Sequence, residues 1–453
     1  VADQPWAVFL DSGVIAAKRP VNRHADYDVL AIKPRLQLVT RDLITNVTED
    51  SERRQIQGDP LAILRDSLRP LEQLYQAGKP LDCPYLPGAI GYFSYDLARR
   101  FEQLPETAVD DEGLPAMAVG IYDVIVVVDH REKTTALIGR QNHRAAVSLA
   151  AEWRNILKLY SSDGCPETDV ETPAKLRAQS IEENMSRQRY AACFQAVRDY
   201  TIAGDCYQVN LAKRFTARVK GDSWQTYAAL RAASPAPYGA YFNFPFAQVL
   251  SNSPESFIQC RDGRVITSPI KGTSARDHDD PANDRRIARQ LLQSRKDRAE
   301  NLMIVDLMRN DLSKCCELGS VAVPKLFALH SFANVHHLIS TITGVLRKNL
   351  HVLDLLRNCF PGGSITGAPK IRAMQIIEEL EPHRRGLYCG AMGYVGVDGS
   401  LETNIAIRTI VVKDGVARFS AGGGLVIDSG VAEEYQEIID KARMMTQALT
   451  GQS

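Results

Sequence analysis

Val265-Ile266-Thr267-Ser268-Pro269-Ile270-Lys271-Gly272-Thr273 is the stretch from which the rest of this chain is read. A short β-rich run over 265–267 is broken by Pro269, which cannot donate to a strand ladder. Gly272 then lets the backbone approach whatever lies opposite. Between them stands one lysine. In a plain turn Lys271 is a solvated cation. Turned inward it is a nucleophile, because burial or a nearby cation lowers the pKa of its amine. The segments that accompany it decide between the two.

Outward from that stretch, short β-rich runs alternate with amphipathic helices. Residues 1–160 read as strands with a few helices: strands over 6–10, 29–32, 90–93 and 121–128, and a helix over 61–77 ending in Gly78 and Pro80. A polar connection with Pro166 and Pro173 fills 161–184, a surface link and not a boundary between independent domains. The region 185–453 opens with a helix capped by Ser186 and ended by Gly204. Strands are expected at 207–215, 240–244, 247–251, 264–269 and 416–420. Helices are expected at 281–294, 296–311, 352–359, 370–379 and 430–449. Runs 387–397 and 401–412 read as a hairpin through Asp398-Gly399. Hairpin connections favour antiparallel sheets with helices outside.

The 453 residues carry 54 basic and 54 acidic side chains, and this balance argues against nucleic acid or an anionic membrane as partner. Hydrophobic residues make up 45%, enough for a large core. The nine cysteines form no C-x-x-C pair, so neither a zinc site nor a disulfide framework is expected, and a reducing cytoplasm is. No apolar run reaches the ~18 residues of a membrane helix, and no signal peptide pattern is visible.

Two helices carry paired acids at i, i+3: Asp297 with Glu300, and Glu434 with Glu437. The spacing puts each pair on one helical face. Each face alone reads as solvated; two such faces opposed make an oxygen-rich place for Mg²⁺. Gly362 to Lys370 (G-G-S-I-T-G-A-P-K) leads into a helix but is no Walker A loop, because Ala368-Pro369 separate the last glycine from the lysine. Ala421-Gly422-Gly423-Gly424, just after a strand, offers approachable N–H groups. Arg408 interrupts an apolar strand and calls for an anion. His336-His337 stand before a β-rich run, and Glu255 follows a strand in Ser253-Pro254-Glu255.

Taken together and in order, these segments resemble the chorismate-utilising enzymes. The likeness rests on Gly204 to Asn210 (G-D-C-Y-Q-V-N), Ser253-Pro254-Glu255, Pro269 to Thr273, and Arg298 to Asp311 (R-A-E-N-L-M-I-V-D-L-M-R-N-D). It continues through His337-Leu338, Gly363 to Lys370, Gly393-Tyr394, Arg408, Ala421 to Gly424 and Glu434 to Lys441. It is dense over 185–450 and looser before. Lys271 stands where the resembling anthranilate synthases carry alanine. Gln208 stands where isochorismate and salicylate synthases carry a water-activating lysine. Both choices point to the branch that makes 4-amino-4-deoxychorismate for p-aminobenzoate and folate.

The resemblance implies an α+β fold of the anthranilate synthase component I-like type, two large face-packed β-sheets with helices outside. It implies chorismate and ammonia as substrates, with the ammonia supplied by a separate glutamine amidotransferase subunit. It also implies Mg²⁺ held by Glu300 and Glu437, with Asp297 and Glu434 acting through water. Lys271 is then the nucleophile and Glu255 the general acid and base. Gln208, Gly272, Thr273, His337 and Thr366 are implied beside the substrate. Arg408, Tyr394, Gly422, Gly423, Gly424 and Lys441 are implied around its enolpyruvyl carboxylate. Asp297 departs from the Glu that most relatives show. Leu10-Asp11-Ser12 with Pro237-Tyr238 resembles the segments that hold tryptophan in the family; a plain sheet edge is the alternative. Two other readings stay open: an anthranilate-forming relative, and a tryptophan-binding regulatory relative without catalysis.

Overall fold

The computed structural model describes residues 1–14, 26–76, 83–140, 143–161, 173–332 and 335–451. Gly78, Pro80 and residues 162–172 of the polar connection lie outside the described residues. Among these residues two antiparallel sheets of twelve strands each run through the molecule. The first region supplies one end of both sheets. In one sheet Ala7–Asp11 pairs with Tyr238–Phe244; in the other Gly88–Phe93 pairs with Ala391–Gly396.

The strands at the centre are apolar on both faces because both faces are covered. Along Met117–Tyr122, Met117, Val119 and Ile121 pack into the helix-covered core, while Ala118 and Tyr122 pack between the sheets. Along Val124–Asp129, Ile125 and Val127 face the inter-sheet core with Phe242 and Ile90. Val124 and Val126 face Ala146 and Trp153 of the helix Arg144–Ser161. Period-two alternation is therefore present in the packing but invisible in the hydropathy.

The expected single strand over 121–128 is two strands in two different sheets. Asp123, 5% exposed and bonded to Arg35 Nε at 3.2 Å, marks where the chain crosses between them. The expected strand over 401–412 likewise divides, into Leu401–Ile405 and Thr409–Lys413. Helices match more closely. Ser186 caps Arg187–Ile202 by accepting from Arg189 N at 3.1 Å, and Gly204 beyond it takes φ 83°. Val352–Cys359 coincides with its expected span. Two helices, Arg144–Ser161 and Ser223–Ala233, have no counterpart in the sequence reading. At one margin Glu52–Gln57 is a charged edge strand, which suits a position with no further partner.

Candidate active site

Two crossovers between the sheets lie side by side. Pro254 and Glu255 join Ala247–Ser253 of one sheet to Ser256–Arg261 of the other. Ala406, Ile407 and Arg408 join Leu401–Ile405 to Thr409–Lys413 in the opposite direction. They are tied together: Ser253 Oγ donates to Ile405 O at 2.6 Å, and Ile405 N donates to Glu255 O at 3.0 Å. Arg408 thus lies in a break between strands, not within one, with φ 53° in the left-handed region.

Pro269 ends the strand Arg264–Thr267, as expected, but a new strand, Ile270–Ala275, starts at once. Its register against Val335–Val345 shifts between Ile270 and Thr273, so Lys271 and Gly272 form an irregularity that re-aims the lysine. Gly272 has φ 90°, and a Cβ there would lie 3.1 Å from Cβ of Asp297. Glycine allows this strand to lie against the helix Arg295–Ser313.

Lys271 is half-buried, and burial pushes its amine below the ordinary lysine range, helped by the charge of Lys441 and opposed by Glu300, Glu255 and Glu437. Glu255 is 6% exposed. Burial pushes its carboxyl up, against Ser364 Oγ, which donates to Oε1 at 2.8 Å, and against Lys271. In both groups desolvation outweighs the attraction of the opposite charge. An amine and an acid so tuned suit nucleophilic attack and proton delivery.

The two acid pairs face one another. Ser294 Oγ caps Arg295–Ser313 by accepting from Asp297 N at 3.2 Å, which sets Asp297 and Glu300 in its opening turns. Glu434 and Glu437 lie in the opening turns of Val431–Thr450. Glu434 is 4% exposed and accepts from Ser429 Oγ at 2.6 Å. Burial pushes the Glu300 carboxyl up. Burial acts on Glu437 in the same direction but is outweighed by Lys441, 2.5 Å away, and the carboxyl lies below its ordinary range.

The donor set is oxygen alone, which suits Mg²⁺. Among the described residues no three acidic, histidine or cysteine side chains converge closely enough to hold an ion. The fit is that of a half-site: Mg²⁺ takes few protein carboxylates and is completed by water and an anionic substrate.

The glycines extend the wall. Val416–Leu425 runs on through Ala421–Gly424, so these residues belong to a strand and do not follow one. They pair with Gln208–Lys220 along one edge, while pairing with Thr409–Lys413 ends at Phe419 and leaves the other edge open. A Cβ at Gly423 would lie 3.0 Å from Oε2 of Glu434. A Cβ at Gly424 would lie 2.1 Å from Nε2 of Gln208. Gln208 is fully buried; its Nε2 donates to Asn210 Oδ1 at 3.1 Å, and its Oε1 has no partner among the described residues.

Thr273 Oγ1 and His337 Nδ1 lie 2.8 Å apart. Burial, with Arg408's charge, holds His337 down to about 4, so the ring is neutral at pH 7. Thr366 is fully buried and turns its hydroxyl into its own loop, donating to Gly362 O at 3.0 Å, while its carbonyl accepts from Asn210 N at 2.8 Å. Lys441 gives its ammonium to Glu437 and to Gly422 O at 2.8 Å, and its carbonyl accepts from Arg408 Nη1.

Tyr394 does not join this group. Its hydroxyl donates to Leu86 O at 2.7 Å, and its ring lines a different cavity. Tyr388 is the tyrosine near Arg408; burial keeps its hydroxyl protonated, and the Arg385 guanidinium lies 5.7 Å from its ring centre. The sequence reading missed it. The signal lay in Arg385-Gly386, where the chain turns with φ 58° at Gly386 before the strand begins.

The different cavity is lined by Leu10, Asp11, Ser12, Pro237 and Tyr238 together with Tyr394 and Glu402. Asp11 is already engaged by Tyr227 OH at 2.7 Å and Arg231 Nε at 2.6 Å. Ser12 gives both N–H and hydroxyl to Asp28.

The model of the family described as chorismate binding enzyme matches residues 24–447. Aminodeoxychorismate synthase component 1 of Escherichia coli is 44% identical over 450 residues, covering 98% of this chain and 93% of the relative. The protein of the same name from Klebsiella aerogenes is 43% identical, covering 99% and 95%. The crystal structure of anthranilate synthase component I from Streptococcus pneumoniae matches with TM-score 0.82 at 30% identity, covering 96% of this chain and 94% of that one.

Proposed function

The chain belongs to the chorismate binding enzymes, and from that premise we propose that it joins ammonia to chorismate to give 4-amino-4-deoxychorismate and water, the reaction of aminodeoxychorismate synthase component 1. The observation that carries this reading is the amine of Lys271, held below its ordinary pKa and facing the acids Glu255, Glu300 and Glu437.

Glu300 and Glu437 would hold Mg²⁺, and Asp297 and Glu434 would support it through water. When bound, the ion would neutralise the ring carboxylate and draw electron density from the diene. Arg408, with Tyr388 beside it, and the open edge of Ala421–Gly424 offer cationic and N–H partners to the enolpyruvyl carboxylate. The neutral Lys271 amine forms a bond to ring carbon 2. The two double bonds shift one place, and the carbon 4–oxygen bond breaks as Glu255 delivers its proton, so water leaves. Ammonia then bonds to carbon 4, the double bonds return, and the carbon–nitrogen bond to Lys271 breaks. Glu255 takes a proton from the new amine, and Lys271 leaves as the free amine. Gln208 supplies no base toward water, and ammonia needs none.

Ammonia would reach this cleft from a glutamine amidotransferase subunit. The cavity at Leu10, Asp11, Ser12, Pro237 and Tyr238 would take tryptophan, its indole against Tyr85 and Tyr394. The product feeds p-aminobenzoate and folate synthesis, a cytoplasmic task consistent with the seven free cysteines at positions 193, 206, 260, 315, 316, 359 and 389. No helix among the described residues is long and apolar enough to cross a membrane.

Product analysis tests the reading. Pure chain with chorismate, ammonium and Mg²⁺ is expected to yield a non-aromatic amine that becomes p-aminobenzoate only when a lyase is added. Direct appearance of anthranilate would transfer the chain to the anthranilate branch, which Lys271 speaks against.

A further inference from the structure

Lys296 opens the helix Arg295–Ser313, one residue before Asp297. A cation at this position works against the helix dipole, whose positive end lies there. Its placement therefore answers to something other than the helix. The Lys296 ammonium lies 3.5 Å from Oε1 of Glu434 and 4.0 Å from Oε1 of Glu300. One acid belongs to its own helix and the other to Val431–Thr450, so this single charge bridges the two faces on which the divalent cation would rest.

Charge accounting gives the reason. Asp297, Glu300, Glu434 and Glu437 bring four carboxylates to one cleft. Lys441 is committed to Glu437 and to Gly422 O, and Lys271 faces Glu300 and Glu437. Glu434 is 4% exposed, with one neutral hydroxyl on it, and a buried carboxylate left without a cation is costly. Lys296 supplies that cation, yet half of its side chain, 52%, remains in solvent. Its flexible stem can swing outward into solvent.

We propose that Lys296 is a tethered stand-in for the divalent cation. In the metal-free chain it holds the acids of the two helices together, and it withdraws when the metal arrives. The inference rests on reading these acids as a magnesium site. Its consequence is competition: a lysine that keeps the site assembled also weakens the binding of free metal when substrate is absent.

The test uses the full-length chain and Mn²⁺ as probe, with free Mn²⁺ followed by electron paramagnetic resonance with and without chorismate. Lys296→Met is expected to bind Mn²⁺ without chorismate roughly fivefold more tightly than the unsubstituted chain, and Lys296→Arg about as weakly as it does. In thermal unfolding Lys296→Met should be the less stable protein without metal and should gain more from added Mn²⁺. Unchanged or weaker Mn²⁺ binding by Lys296→Met, with native circular dichroism, overturns the proposal. If no protein binds Mn²⁺ even with chorismate present, the magnesium reading falls and takes this inference with it.

Discussion

Ser364 Oγ donates to Oε1 of Glu255 at 2.8 Å, and this hydrogen bond favours the ionised carboxylate while burial opposes it. The glycine-rich loop that carries Ser364 therefore adjusts the acid on the neighbouring crossover. A general acid must be protonated to work, so activity should fall as pH rises through the elevated Glu255 pKa. Ser364→Ala removes a bond to the charged form and should move that alkaline limb upward by roughly one pH unit. An unmoved limb would show that Glu255 is not the titrating group.

Glu255→Gln keeps the shape and removes the proton. Turnover should drop roughly 10²–10⁴-fold. The chorismate KM should change far less, because Glu255 is asked to act on the leaving oxygen rather than to hold the carboxylates. A matched rise in KM with intact turnover would make it a binding residue.

Lys271→Ala should abolish amination and leave chorismate binding intact. In the unsubstituted chain, rapid quenching followed by intact-mass measurement should find a substrate adduct on Lys271. Near-normal amination by Lys271→Ala would remove the nucleophile from the mechanism.

Glu434→Gln should raise the magnesium concentration needed for half-maximal activity by roughly 10–100-fold, as expected of a group that holds a metal through water. Glu300→Gln and Glu437→Gln should raise it further. A magnesium titration in which all three variants coincide with the unsubstituted chain would refute the assignment.

Arg385 joins three pieces of the site. It pairs with Glu381 at 2.7 Å and donates to Ile365 O at 3.0 Å and Asn210 O at 2.7 Å. Arg385→Ala would strand a buried carboxylate and two carbonyls, and should cost about 3–5 kcal/mol in denaturant unfolding. A loss below about 1 kcal/mol would mean that the pair is idle.

What the sequence made legible was chemistry with a fixed spacing. Acids three apart on a helix stay on one face wherever the helix lies, so Asp297, Glu300, Glu434 and Glu437 could be read in advance. Lys271 declared itself through the proline and glycine around it. What remained hidden was which sheet a strand joins. Ile405 and Thr409 sit in one apolar run, yet they belong to different sheets, because strands covered on both faces lose the alternation that would show the crossing. Arg408 reads as a strand residue for that reason. Tyr394 carries the resemblance in Gly393-Tyr394, and nothing in the apolar stretch around it singles out Tyr388. Only the pairing of Ala391–Gly396 with Gly88–Phe93 reveals that Tyr394 lies toward the second cavity.

Pairing between the first region and the second runs through the middle of each sheet, at Ala7–Asp11 with Tyr238–Phe244 and at Gly88–Phe93 with Ala391–Gly396. A protease that cut the connecting segment would therefore release nothing. Two fragments synthesised apart would each carry a pair of raw apolar edges, and such edges seek partners. Mixed together, each fragment has as its best partner the other half of its own sandwich.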